Sequence, residues 1–209
     1  MKRRSILPCA SALVLSLALC ACGERAPSEA ATPAAPPPAS DQPAEDVPPA
    51  TAPTPLAPAS GALARLDGYG DLRLGMSAEE ATRAWGEALD GKPGEGEVCY
   101  YLSPKGAKAP SDFALMIENG KFVRYDVGNA TELAPGGGKV GMGVDELRTL
   151  YHGGLQESPH KYVEGGKVLS VAASGVAPSK LVFEVDAAGK VTAWRVGLAP
   201  QVDYVEGCS

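Results

Sequence analysis

Histidine and aromatic residues are scarce in this chain: 209 residues include 2 His, and 6% are Phe, Trp or Tyr. His152 and His160 fall in different segments, without metal-ligand spacing to each other or to a cysteine, so no metal site is expected. His152 reads as a residue at a helix C-terminus and His160 as a loop residue. A Gly-x-Ser-x-Gly elbow is missing, and Gly136-Gly137-Gly138-Lys139 runs into Val140 where a phosphate loop needs Ser or Thr. That glycine run reads as a connection. Glu79-Glu80 and Asp145-Glu146 are acidic pairs, but they sit in first turns of expected helices, where negative charge is favourable without any function. No catalytic activity and no cofactor are expected. Basic excess is lacking too. From Leu63 to Ser209 there are 15 Lys and Arg against 20 Asp and Glu, with no basic run, so nucleic acid is not an expected partner.

Long apolar runs are confined to the N-terminus. Lys2, Arg3 and Arg4 precede the stretch Ile6 to Leu19, and small residues follow at Ala21 and Gly23, the order of an export signal. Pro8, Ser11 and Ser16 break the stretch, and it falls short of the roughly 20 apolar residues a membrane-spanning helix needs. Leu19-Cys20-Ala21-Cys22 resembles the bacterial lipobox, which implies cleavage after residue 21 and acylation of Cys22, by palmitate or a similar chain. Cys20 is the rival, but it would set the bulky Leu19 beside the cut; an ordinary secretory signal with incidental cysteines is the plainer alternative. Two acyl chains, at about 0.8 kcal/mol per buried CH₂, would hold the mature protein on a membrane. Gly23, rather than Asp, after the cysteine implies by the same resemblance the outer membrane, on its periplasmic face.

Residues 22–62 form the next unit. Eleven of the chain's 19 prolines lie between Gly23 and Ser60, with many alanines and no aromatic residue, so this segment cannot bury enough apolar surface to offset ordering entropy. A tether is expected, with a contour on the order of 100 Å at about 3.1 Å per polyproline residue.

The third unit, residues 63–209, has the size of one domain. With Cys9 and Cys20 removed in the signal and Cys22 acylated, Cys99 and Cys208 remain of the 5 cysteines, and an even count in an oxidising compartment predicts a disulfide. Closing a loop of about 100 residues stabilises by up to ~4.7 kcal/mol in the chain-entropy model. It would also bring the C-terminal tail back to the start of the sheet.

Self-similarity organises this unit. Leu74-Gly75-Met76-Ser77-Ala78-Glu79-Glu80-Ala81 matches Val140-Gly141-Met142-Gly143-Val144-Asp145-Glu146-Leu147 at an offset of 66, and the segments Gly120 to Gly128 and Gly189 to Gly197 match at 69. Two repeats are expected, about 66–130 and 136–205. In the first, Ser77 and Glu80 make a capping box before a helical stripe of Ala81, Trp85 and Leu89; in the second, Val144, Leu147, Leu150 and Tyr151 make the stripe. Hairpins are expected for Phe113 to Glu118 with Lys121 to Val127 across Asn119-Gly120, Lys161 to Glu164 with Lys167 to Val171, and Leu181 to Asp186 with Lys190 to Val196. The expected fold class is therefore α+β, two tandem helix-plus-strand repeats with helices on one face of an antiparallel sheet. Strict alternation sends Val123, Tyr125, Val127, Thr192, Trp194 and Val196 to the helix side. The other, open face then carries Phe122, Arg124, Asp126, Glu184 and Arg195.

The Gly-Met-Ser turn and its weaker Gly-Met-Gly copy resemble the beta-lactamase inhibitory protein and the outer-membrane assembly lipoproteins of the SmpA/OmlA type. The resemblance implies a non-enzymatic protein that grips a protein partner on a sheet face. Pro159 to Lys167 and Val202 to Cys208 also look like parts of envelope lipoproteins labelled lectins. Two functions follow as expectations. One is a lipid-anchored envelope binding protein engaging a protein through Phe122, Arg124, Asp126, Glu184 and Arg195, as inhibitor, immunity factor or assembly partner. The other is a carbohydrate-binding lipoprotein for peptidoglycan or surface polysaccharide, with Tyr101, Tyr162 or Tyr204 as stacking platforms. An envelope hydrolase is a remote third, because it would need a carboxylate pair in a cleft.

Overall fold

The computed structural model describes residues 62–107, 111–172 and 178–208; the signal segment, Cys20, Cys22 and the tether up to residue 61 lie outside them. Three two-residue strands, β1 (Ala64–Arg65), β2 (Gly68–Tyr69) and β3 (Leu72–Arg73), form a small antiparallel sheet. After helix α1 (Ala78–Trp85) come β4 (Leu89–Asp90), β5 (Cys99–Pro104), β6 (Phe113–Glu118) and β7 (Lys121–Val127). Helix α2 (Val144–Leu150) precedes β8 (Gln156–Pro159), β9 (Lys167–Ala172), β10 (Ser179–Val185) and β11 (Val191–Leu198). The last eight strands form one sheet in the order β4-β5-β6-β7-β11-β10-β9-β8, and every pairing in it is antiparallel.

This corrects the α+β expectation of two tandem helix-plus-strand repeats. The described chain is 40% strand and 13% helix, and the architecture is an eight-stranded sheet with a three-stranded one beside it. The helical stripes are short. Gly86, at φ 80°, ends α1 after 8 residues, so Leu89 lies in β4 instead of on the helix, and α2 has 7 residues. Each helix fully buries a single side chain, Ala81 and Leu147 respectively. Alternate strand residues, such as Phe113, Leu115 and Ile117 of β6 and Leu181, Phe183 and Val185 of β10, carry most of the main core.

What recurs is local. Gly75 N–H donates to Phe122 O at 2.7 Å and Gly141 N–H to Val191 O at 2.8 Å; Phe122 and Val191 N–H return bonds to Met76 O and Met142 O at 2.8 and 3.0 Å. Both turns thus hook onto the start of a long strand. The Ser77 capping box forms as the sequence predicts, with Glu80 N–H donating to Ser77 Oγ and Ser77 N–H to Glu80 Oε2. At Gly143 only the Glu146 half exists.

Two bulges overturn the strict alternation. Met116 faces Arg124 but Ile117 faces Phe122, which leaves Val123 as the extra residue; Glu184 faces Ala193 but Val185 faces Val191, which leaves Thr192 as the extra one. Phe122 and Val191 therefore turn into the main core with Tyr125, Val127, Trp194 and Val196. Phe122, expected on the open face, is wholly buried.

That core holds a chain of rings. Tyr69 lies against Phe113 at 4.7 Å between centroids and against Tyr125 at 5.5 Å, Trp85 against Phe113 at 5.5 Å, and Tyr125 edge-on to Trp194 at 5.9 Å. Each such buried ring contributes on the order of 2–3 kcal/mol. The Tyr125 hydroxyl donates to Arg65 O at 2.8 Å and fastens the small sheet to the large one. The glycine connection is tight, because a Cβ on Gly138 would come within 2.6 Å of Phe183.

Candidate functional site

On the face opposite the helices, the chain after β11 doubles back. Residues 199–208 cross the sheet through a 3-10 turn, Gln201–Asp203, and end at the predicted Cys99–Cys208 disulfide, with Cα atoms 5.3 Å apart. The turn lies against β7, β10 and β11, and Val202 is wholly buried.

Two arginines hold this tail. Arg124 Nη1 donates to Gln201 O at 3.0 Å and to Tyr204 O at 2.6 Å, while Nε and Nη2 fork onto the Asp126 carboxylate at 2.5 to 3.0 Å. Arg195 Nε donates to Val202 O at 2.7 Å, and its Nη1 pairs with Glu184. Both arginines are 4% exposed. Buried guanidinium groups require paired carboxylates and satisfied N–H groups, and the tail carbonyls complete that set. Burial pushes the Asp126 carboxyl above its ordinary range, with Arg124 pulling the other way. Outside this layer, Gln201 Nε2 donates to Glu118 at 2.5 Å, Lys180 pairs with Asp203 at 2.5 Å, and Lys161 pairs with Glu206 at 2.9 Å.

Arg124, Asp126, Glu184 and Arg195 therefore do share one face, as the alternation required, but the tail covers the two arginines. Phe122 is absent from it. Tyr101 sits on the same face at its β5 border, half-buried, and a Cβ on Gly207 would meet its hydroxyl at 2.5 Å. Its phenol is pushed up to about 12 by burial and then by Asp126. Beyond the tail, Tyr101, Ser111, Ala114, Asp126, Val127 and Ala193 line a mostly apolar depression of about 320 Å³.

Tyr162 lies elsewhere. The expected strand Lys161 to Glu164 is a loop: β9 pairs instead with β8, and residues 160–166 connect them. His160 organises the loop. Its Nδ1 accepts from the Tyr162 and Val163 amides at 3.1 Å each, and its own amide donates to Gly166 O at 3.0 Å. The loop and the tail meet through Lys161, whose ammonium bonds Glu206 and stands 4.8 Å from the Tyr162 ring centroid. Tyr162 is 57% exposed, Val163 38% and Tyr204 36%. Beside Tyr204 runs a groove of about 470 Å³ lined by Glu118, Lys161, Asp203, Tyr204, Glu206 and the disulfide, among others.

Sequence reasoning missed Val163, Lys161 and Glu206 as parts of a surface. The available signal was Cys208, whose pairing returns Tyr204 and Glu206 to the sheet. Among the described residues no group of three or more His, Cys, Asp or Glu is arranged to hold a metal ion, and no helix is long and apolar enough to cross a membrane.

No family model matches the chain, and no curated protein matches it. Two solved structures are similar. One is an extracellular protein containing a SCP domain from Bacillus anthracis str. Ames, at 9% identity and a TM-score of 0.40, matched over 60% of this chain and 44% of that one. The other is the uncharacterized protein yfeY from Escherichia coli, at 18% identity and a TM-score of 0.42, over 63% of this chain and 96% of that one. The chain thus spans less than half the length of the Bacillus anthracis protein.

Proposed function

We propose that this chain is a non-catalytic, lipid-anchored binding protein of the cell envelope, held by Cys22 on the periplasmic face of the outer membrane, and that it engages a protein partner. The observation that carries the reading is the exposed Tyr162, Val163 and Tyr204 set, with the Lys161–Glu206 ion pair linking the loop that bears the first two to the tail that bears the third. Rigid exposed aromatics are the side chains that dominate binding energy at protein interfaces. The arginine face expected from alternation is better read as the base on which this surface is mounted. In the adjoining groove Glu118 accepts from Gln201, and Asp203 and Glu206 pair with Lys180 and Lys161.

A carbohydrate ligand is the second reading, favoured by exposed Tyr204 beside Asp203 and Glu206 in one groove. The test is capture from detergent-solubilised envelope with the whole chain and with a Tyr162→Ala/Tyr204→Ala variant. A stoichiometric protein retained by the wild type and lost in the variant supports the protein reading. Retention of peptidoglycan or polysaccharide alone moves the assignment to a glycan. Equal capture by both proteins removes this surface from the proposal.

A further inference from the structure

We propose that the Cys99–Cys208 disulfide is a redox latch on this surface: reduction by a dithiol releases residues 199–208 and dismantles the surface while the domain stays folded. That the surface binds a partner rests on the reading above; the latch rests on how the tail is attached.

The last strand, β11, ends at Leu198, so residues 199–208 supply no strand to either sheet. It contributes one fully buried apolar side chain, Val202. Its other described side chains from Asp203 to Cys208 are exposed or half-buried, and its remaining ties are polar. Two apolar side chains on the tail side of the sheet, Met116 and Val182, are wholly buried beside the arginines but stand apart from the main core on the helix side, which contains Trp194, Tyr125, Phe183 and Leu115. Losing the tail therefore leaves that core intact. Three backbone carbonyls, those of Gln201, Val202 and Tyr204, occupy arginine donors that water can satisfy once the strip is open. A ten-residue segment that brings one fully buried apolar side chain, with its other non-covalent ties polar, carries a large ordering entropy, and the covalent bond is the tie that does not compete with water.

The chemistry balances within thiol exchange. One thiolate of the dithiol attacks a sulfur of the half-exposed Cys99–Cys208 pair, forming a mixed disulfide and releasing the other cysteine as thiolate. The second thiol of the reductant then displaces the first protein sulfur. Two electrons pass to the protein, which takes up two protons to give two Cys thiols, and the dithiol leaves as its own disulfide. Tyr204 and Glu206 depart with the tail, so Lys161 loses its partner and the exposed set loses one of its two rings.

Hydrogen exchange by mass spectrometry tests this on the full chain in detergent micelles, before and after dithiothreitol and with a Cys99→Ser/Cys208→Ser variant. The expected result is at least a tenfold fall in protection of the Ala199, Asp203 and Tyr204 amides, which donate to Pro178 O, Pro200 O and Gln201 O, with β6, β7, β10 and β11 unchanged. Unchanged tail protection would overturn the latch, because the arginine bonds then suffice. Loss of protection across all four strands, or failure of the serine variant to fold, would overturn it in the other direction by making the disulfide a staple of the whole fold. These readouts need no partner: a released tail with no Tyr162- and Tyr204-dependent capture would sink the binding reading alone.

Discussion

The two faces of the large sheet solve burial by opposite means. On the helix side, Tyr69, Trp85, Phe113, Tyr125 and Trp194 interlock, and stability comes from apolar area and close contact. On the tail side, two arginines are buried as deeply as core residues, each with a carboxylate partner, Arg124 with two tail carbonyls and Arg195 with one. One side is specified by shape and tolerates swaps of similar volume; the other is specified by its guanidinium–carboxylate pairs and does not tolerate the loss of either arginine. A charged residue on an alternating strand is thus no sign of a solvent face. In this molecule the exposed rings, Tyr162 and Tyr204, stand at its margin, and the two buried arginines are architecture.

The sharpest way to break this contrast is to remove volume from the first face. Trp194→Ala should lower unfolding free energy by about 3–5 kcal/mol in urea titration. Arg124→Ala should follow at about 3 kcal/mol, because Asp126 and two tail carbonyls lose their donor together. The polar account makes a finer demand as well. Arg124→Lys keeps the charge but not the fork, and it should recover only a small part of that loss; full recovery would mean that charge alone matters there. Val202→Ala should come lowest of these, at about 1–2 kcal/mol. A loss at Val202 equal to that at Trp194 would merge the two faces into one core.

Parts of this contrast were legible in the sequence because they depend on neighbours or, for the disulfide, on two cysteines being left to pair. The Asn119-Gly120 hairpin joins β6 and β7 at the expected bounds, Ser77 and Glu80 cap α1, and Cys99 pairs with Cys208. What failed depends on distance. Each bulge inserts one residue whose only sign is the strand it faces, so unbroken alternation sent Phe122 to the wrong side and Thr192 into a core it does not enter. Helix weight was overestimated because a capping box marks a start and says nothing of length; Gly86 supplies the stop two turns later. The tail has no periodicity, and its role follows from three carbonyls that any sequence possesses. Cys208 alone hinted that Gln201 to Gly207 would lie on the face bearing Arg124 and Arg195.

The smallest expected effect separates the faces by pH. At the exposed sheet margin, Glu157 of β8 accepts from Lys167 Nζ at 2.5 Å and Arg148 Nη2 at 2.7 Å, and these bonds, Lys167 first, hold its carboxyl below the ordinary 4.5. A carboxyl depressed in the folded state contributes stability that is present above 4.5 and lost as pH falls through its folded value. Asp126 runs the other way. Burial raises its carboxyl, so the folded protein takes up that proton more readily than the unfolded chain, and acidification from the raised value down to 3.8 favours the fold. Thermal melts of wild type and Glu157→Gln between pH 7 and 3 should therefore differ at neutral pH and converge on acidification. The Asp126→Asn difference should move with the opposite slope over its own window, superimposed on the pH-independent loss from weakening the Arg124 fork. Parallel slopes for the two variants would mean that Arg124 outweighs burial at Asp126, and the tail-side carboxylate would then titrate like one at the surface.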